Sequence, residues 1–227
     1  MQSSALVIAI SEFVLLLFSL SVHESAHAWT ASRLGDQTAR MLGRVSLNPM
    51  DHVDPVGTLL IPALMIFGPL IGLGYLGRYI FGWAKPVPVV SRNFRNFKRD
   101  DMLVSLAGPA SNLLLALVAF VGLAVILIAE RHLPEGASPS GTQQALAMLC
   151  ELAMSLNLTL CIFNLIPIPP LDGSHVLRQF LPYGVAQVYD RITGIASYIL
   201  LILVARFVLG AVMNPVLHLA YSALDHM

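Results

Sequence analysis

Charged residues are scarce in this sequence: they make up 11% of its 227 residues, whereas 56% are hydrophobic. A soluble domain normally has about a quarter of its residues charged, so this composition excludes an ordinary soluble protein and indicates an integral membrane protein. Lys and Arg together number 13, as do Asp and Glu. Because neither sign is in excess, the charge gives no reason to expect a nucleic-acid partner or an acidic interaction arm.

Cysteine is also rare, with Cys150 and Cys161 the only two. They lie in one apolar stretch, about 16 Å apart if it is helical, which is too far for a disulfide bond. The N-terminal apolar run lacks the basic start and small-residue cleavage site of a signal peptide. It is therefore predicted to remain in the membrane.

Long apolar runs are abundant. Five meet or approach the roughly 20 residues that a membrane-spanning helix needs, and a shorter helix is expected from Asn214, with Pro215 in its first turn. The five runs lie near 5–31, 57–81, 102–129, 143–166 and 184–210. We expect an all-α, multi-pass membrane protein with five to six embedded segments, forming one domain over 1–227 with a core of about 5–180 and C-terminal helices over 184–227.

The second run, 57–81, is unusual because arginines precede it, within 33–44, and lysines and arginines follow it, within 85–99. Positive loops stay in the cytoplasm, so both ends of this run are expected on one side. Pro62, Pro69 and several glycines also interrupt it. We interpret it as a broken or re-entrant hairpin, with a single kinked span as the alternative. The following "WAKPVPVV" (83–90) predicts a short β element near the cytoplasmic face, with its prolines confined to an edge strand.

Ionisable residues interrupt the first apolar run in "HESAH", residues 23–27. Such groups are costly at membrane depth, so a cluster of them indicates function. His23 and His27 are four residues apart and share one helix face, where both can bind one metal ion. Glu24 can then take a proton from a water molecule polarised by that metal. This H-E-x-x-H pattern is the signature of zinc metallopeptidases; a pair of packed, hydrogen-bonded histidines is the alternative.

A catalytic zinc ion usually has three protein ligands and a water molecule. The best candidate for the third ligand is Asp172, in "FNLIPIPPLDGSHVL" (163–177). Three prolines end the helix before it, and Ser174 could cap the next helix. Asp172 alone would more often be a turn aspartate. His175 is expected to face solvent rather than to act as a fourth ligand.

Three motifs together resemble the site-2 protease family of intramembrane zinc metalloproteases: "HESAH" at 23–27, "AGPASN" at 107–112 and "NLIPIPPLDG" at 164–173. The similarity is greatest to the short bacterial members, which have no PDZ domain, and this chain leaves no room for one. The resemblance implies that His23, His27 and Asp172 bind one zinc ion, that Glu24 is the general base and acid, and that Asn164 holds the substrate or the tetrahedral intermediate.

The resemblance also implies cleavage of transmembrane substrates near the cytoplasmic face of the bacterial inner membrane. Other residues have two interpretations. Asn112 is expected to pack in the core or to act at the site directly, and His52 to lie on a surface loop or to gate the cavity. Residues Pro86, Val87 and Pro88 either cover a loop or pair with an unwound substrate.

Two other functions compete with proteolysis. A metal-ion transporter would also place histidine and carboxylate side chains in the membrane, but it needs ligands along a path and often has inverted repeats. The sequence has one cluster and no repeat. A non-catalytic helix-binding relative would have no need of Glu24. The sequence does not identify the substrate or the oligomeric state.

Overall fold

The computed structural model describes residues 2–73, 83–134, 137–192 and 194–225. Throughout these ranges the regular structure is helical, and no residue in them forms a β-strand. The α-helices are α1 (Gln2–Leu34), α2 (Thr38–Met41), α3 (Ile61–Phe67), α4 (Phe97–Arg131), α5 (Gly141–Asn164), α6 (Asp172–Arg178), α7 (Tyr183–Tyr189), α8 (Gly194–Val208) and α9 (Asn214–Asp225). The prediction of an all-α protein is therefore confirmed for the part of the chain that is described.

Within the same ranges, three helices are long and apolar enough to cross a membrane: α1, α4 and α5. The shortest, α5, has 24 residues and measures about 36 Å, more than the hydrocarbon core of a bilayer. The five to six predicted segments are not confirmed. The last predicted segment instead contains α8, with 15 residues, which a π-helical turn (Leu209–Met213) joins to α9. As predicted, α9 begins at Asn214, immediately before Pro215.

Helix α4 lies at the centre and packs against α1, α5 and α6. Its buried face carries small residues, Gly108, Ala116 and Ala119 among them, which allow neighbouring helices to approach closely. Its exposed face carries Leu114, Val118 and Val121, as expected of a surface that contacts lipid. The buried face positions the functional site, because it packs directly against the "HESAH" turn of α1.

The predicted hairpin at 57–81 is broken into short helical turns. A π-helical turn (Pro55–Leu60) leads into α3. A 3₁₀ turn (Gly68–Ile71) follows and is capped by Gly72, whose φ of 82° favours glycine. Residues 74–82 lie outside the described ranges. The amide of Trp83 then donates to the carbonyl oxygen of Gly57 at 3.1 Å. The hydroxyl of Thr58 donates to the carbonyl oxygen of Trp83 at 2.9 Å. The two ends of the stretch therefore lie side by side.

The end of α1 and the segment just before α4, on either side of this stretch, are also hydrogen-bonded to each other. The amide of Arg95 donates to the carbonyl oxygen of Leu34, the last residue of α1, over 3.4 Å. Nearby, the Asp36 carboxylate accepts hydrogen bonds from Asn93 Nδ2 at 2.8 Å and from the Val90 amide at 2.7 Å. Burial alone would raise the pKa of Asp36, but these hydrogen bonds and those from Thr38 lower it. The two ends of the connection from α1 to α4 therefore lie next to each other.

The predicted β element at 83–90 is wrong, because this segment is irregular and has no partner strand in the described ranges. Its amides donate elsewhere: Lys85 to the carbonyl oxygen of His52 at 3.0 Å, and Val87 to Glu24 Oε2 at 3.3 Å. Pro86 and Pro88 have no amide hydrogen to donate. The hydrogen bonds of Lys85 and Val87 join the segment to α1 and to the loop before α3.

Candidate metal centre and catalytic cavity

The structure brings together the three residues that the sequence predicts as metal ligands. His23 and His27 lie one turn apart on α1, with their Nε2 atoms 3.0 Å from each other. Asp172 faces both, with Oδ2 3.2 Å from His23 Nε2 and Oδ1 3.3 Å from His27 Nε2. The ligand atoms of all three residues lie within 4.8 Å of one another. This is the spacing that a single metal ion requires.

Asp172 reaches this position because the chain turns sharply after α5. The tight turn depends on Gly173, where a Cβ atom would overlap the carbonyl oxygen of Leu165. The Tyr189 hydroxyl donates to the carbonyl oxygen of Pro167 at 2.9 Å and holds the turn from the far side. Helix α6 begins at Asp172 itself, after Leu171, and has no side-chain cap. The predicted cap at Ser174 is therefore wrong: that residue is buried inside the helix.

The far nitrogen of each histidine has its own acceptor. His23 Nδ1 lies 2.7 Å from Asn112 Oδ1, and His27 Nδ1 lies 2.7 Å from the carbonyl oxygen of Val104. Both oxygens accept, so both Nδ1 atoms carry the proton and both Nε2 atoms present lone pairs. Asp172 Oδ2 is buried without a hydrogen-bond partner. Three electron-pair donors thus converge, and a cation between them relieves their mutual repulsion.

The donor set suits zinc, which prefers imidazole nitrogen and carboxylate oxygen in groups of three at catalytic sites. Helix α4 approaches the two histidines at Gly108, where a Cβ atom would lie 2.5 Å from His23 Nε2. Only glycine fits that position without displacing a ligand. The glycine of "AGPASN" therefore allows the helix to come close.

A cavity of about 560 Å³ opens beside the metal ligands, and Glu24 and Asn164 both line it. Glu24 Oε2 accepts the amide hydrogen of Val87. Asn164, the last residue of α5, donates one Nδ2 hydrogen to the carbonyl oxygen of Leu160 at 2.9 Å. Its second amide hydrogen is left for another acceptor. The cavity therefore holds a carboxylate and an amide next to the candidate metal site.

The other predicted site residues have mixed outcomes. Pro86 and Val87 line the cavity, whereas Pro88 does not. Asn112 is 0% exposed, as expected of a core residue, and its Oδ1 lies 2.7 Å from His23 Nδ1, so it also contacts a candidate metal ligand. His175 is exposed, as expected, and contributes to the cavity wall.

His52 is not a surface residue, and that expectation is wrong. The residue is 2% exposed, and its Nε2 donates to the carbonyl oxygen of Ser46 at 2.8 Å. The Ser25 hydroxyl, beside Glu24, donates to the same oxygen. His52 does not line the cavity. Its Nε2 lies 3.4 Å from the Ser25 hydroxyl oxygen, so the loop after α2 meets α1 at this residue.

Val104 and Asp101 also line the cavity, and neither was predicted from the sequence. Val104 contributes a backbone oxygen, for which no side-chain pattern exists. Asp101 lines the cavity and accepts a hydrogen bond from Gln179 Nε2 at 2.7 Å, which ties α4 to the end of α6. Its position in the charged start of α4 resembled an ordinary helix terminus.

Comparison with known proteins supports the same assignment. YwhC of Bacillus subtilis, named provisionally as a zinc metalloprotease, is 38% identical over 195 residues, which cover 86% of this chain and 78% of YwhC. Rip2 of Mycolicibacterium smegmatis, named in the same way, is 33% identical over 165 residues, covering 73% of this chain and 55% of Rip2. No solved structure gives a significant match. The profile of peptidase family M50 matches residues 11–207, and the chain therefore belongs to this family, the site-2 proteases.

Proposed function

We propose that this protein is a zinc endopeptidase that hydrolyses peptide bonds in or next to the transmembrane segments of membrane proteins, with 1–227 acting as one protease domain. The observation that carries the proposal is the convergence of His23, His27 and Asp172 beside a cavity that also holds Glu24. Two of the ligands stand on α1, a helix long enough to span a bilayer. Membership of family M50 supports the same chemistry.

When bound by these three residues, zinc supplies Lewis acidity, which polarises a carbonyl group and makes water a better acid. Glu24 then acts as the base: one of its carboxylate oxygens accepts a proton from the attacking water. It later gives that proton to the nitrogen of the leaving amine. The second amide hydrogen of Asn164 stabilises the substrate carbonyl oxygen as it gains negative charge. Both side chains line the same cavity, as these roles require.

The proposal includes a location for the site. His27 lies about 9 Å of helix rise before Arg33, and positive residues continue in the loop that follows α1. Positive loops stay in the cytoplasm, so we place the site just inside the cytoplasmic face of a bacterial inner membrane. The broken stretch after Pro55 is then re-entrant. Non-helical backbone of this kind is tolerated at membrane depth where it lines a water-filled cavity, and such a cavity supplies the water that hydrolysis consumes.

A metal-ion transporter remains the alternative from another class. The described residues contain one cluster of three candidate ligands, whereas a transport path needs several sites in succession. Glu24 lines the cavity without being one of those ligands. Its position fits a base better than a transport site.

The test uses purified protein and a fluorescent single-span substrate in lipid vesicles, with the cut sites read by mass spectrometry. We expect cleavage within the span or a few residues beyond it, loss of cleavage after zinc chelation, and recovery when zinc is restored. The matched control is a soluble peptide with the same flanking sequence and no span. Equal cleavage of the control would exclude a preference for membrane substrates. If zinc-loaded protein cuts neither, the protease assignment is wrong.

A further inference from the structure

Asn157 lies within α5, away from the cavity wall, and no feature of the sequence pointed to it. We propose that Asn157 is a positioning residue for the metal centre, acting through Asn112 to keep the Nε2 lone pair of His23 available to zinc. The inference rests on the proposed function, because it takes His23 to be a zinc ligand.

The observation is a chain of hydrogen bonds that crosses from α5 to α1 through α4. Asn157 Nδ2 donates to the carbonyl oxygen of Ala153 at 2.9 Å. Asn112 Nδ2 donates to Asn157 Oδ1 at 3.3 Å, and Asn112 Oδ1 lies 2.7 Å from His23 Nδ1. Asn112 is 0% exposed and Asn157 2% exposed. Bulk water therefore offers neither amide an alternative partner.

The direction of every bond in this chain follows from its first member. A backbone carbonyl can only accept, so the NH₂ group of Asn157 must face Ala153 and its oxygen must face α4. That oxygen can also only accept, so the NH₂ group of Asn112 faces it. The oxygen of Asn112 is then turned towards His23, whose Nδ1 must carry the proton. The proton is thereby kept off His23 Nε2, the atom that faces the other two ligands.

Without Asn157, the Asn112 amide could rotate by half a turn. Its NH₂ group would then face His23 Nδ1, which would become the acceptor, and the proton would move to Nε2. That tautomer cannot bind a metal through Nε2. The tautomer of His27 cannot change in this way, because its Nδ1 donates to the backbone oxygen of Val104, which cannot rotate. His23 therefore depends on a rotatable side chain, and Asn157 fixes the orientation of that side chain.

The experiment measures the zinc dissociation constant of the purified full-length chain by competition with a chelator, together with the melting temperature of the zinc-free protein. Loss of such outer hydrogen bonds typically weakens metal binding about 10–100-fold. We expect that range for N112L and roughly tenfold weaker binding for N157L. The control is T159V, two residues along α5, which removes a hydroxyl that bonds only to Ser155 and Met213. It should leave zinc affinity unchanged.

The decisive comparison uses N112D, in which a carboxylate replaces the amide. Both carboxylate oxygens accept hydrogen bonds. Rotation of the carboxylate at position 112 therefore always leaves an acceptor facing His23 Nδ1. N112D should therefore retain tight zinc binding, and N157L should cost little when it is added to N112D. Unchanged zinc affinity in N157L alone, with only a lower melting temperature, would mean a structural role and overturn the proposal. An equal loss from N157L in both backgrounds would also overturn it.

The same measurements distinguish a failure of the proposed role of Asn157 from a failure of the proposed zinc protease function. If wild-type protein binds zinc and cleaves substrate while N157L binds zinc as tightly, only the role of Asn157 is wrong. If wild-type protein binds no zinc, the metal centre fails and this inference fails with it.

Discussion

The metal centre depends on individual side chains, and on the absence of one at Gly108. His23 and His27 could be predicted because a spacing of four residues places them on one helix face whatever surrounds them. Asp172 could be predicted because a catalytic site needs a third ligand and the prolines before it force a turn. The partners of the two histidines could not be predicted. A backbone oxygen such as that of Val104 has no sequence pattern, and Asn157 takes part only once α4 and α5 are packed.

The first prediction concerns the closest approach in the site. In G108A, the added methyl group must displace His23 or His27, since its Cβ would lie 2.5 Å from His23 Nε2. We expect zinc affinity to fall by at least about tenfold, with a loss of stability of about 1–3 kcal/mol, typical of overpacking. Zinc content after dialysis and thermal unfolding measure the two effects.

The control for G108A is G122A, about four turns further along α4. A Cβ there meets one atom, Cys150 Sγ at 3.1 Å, which belongs to a side chain that can shift. Alanine also favours the helix by up to about 1 kcal/mol. G122A should keep its zinc, and equal zinc loss in the two variants would show that Gly108 has no special role.

At the scale of elements, the features that depend on local composition could be predicted from the sequence. The features that depend on contact with a distant segment could not. The long apolar helices α1, α4 and α5 follow from length and hydropathy. The break in the second apolar stretch follows from Pro62, Pro69 and its glycines. The β element at 83–90 failed because alternating residues predict a strand only where a partner is present, and the amides of this segment found side-chain and loop acceptors instead. The prediction of a surface position for His52 was wrong because the residue is buried by contact with α1, which is distant in sequence.

The second prediction concerns the path of the chain between α1 and α4. Arg40 and Arg95 are both exposed, and the end of α1 is hydrogen-bonded to the segment before α4. In a C150A/C161A background, R40C and R95C should react with a membrane-impermeant thiol reagent from the same side, the cytoplasmic one. Labelling in intact cells and in inverted vesicles measures this.

A third position makes the labelling experiment interpretable. Ser138, in the loop between α4 and α5, is exposed, and S138C should label from the opposite side because α4 spans the membrane between them. If R40C and R95C label from opposite sides, the stretch after Pro55 is an ordinary span and the re-entrant arrangement is wrong.

At the scale of the whole molecule, the site is assembled from three elements that are far apart in sequence. Helix α1 carries His23, His27 and Glu24, α6 begins at Asp172, and α4 packs against both helices. The central claim is that this assembly separates two roles: three residues hold the metal, and Glu24 moves the proton. Those roles can be separated by experiment because Glu24 lines the cavity without belonging to the ligand cluster.

The most direct measurement is the zinc content and the cleavage rate of E24Q, determined on the same preparation beside wild type and H27A. Glutamine keeps the size of glutamate but cannot accept the proton. We therefore expect E24Q to retain about one zinc ion per chain while cleavage falls by at least about 10²–10⁴-fold, the usual contribution of a general acid–base group. H27A should lose both zinc and activity. Full activity in E24Q, or loss of its zinc, would contradict the assignment of Glu24 as the base.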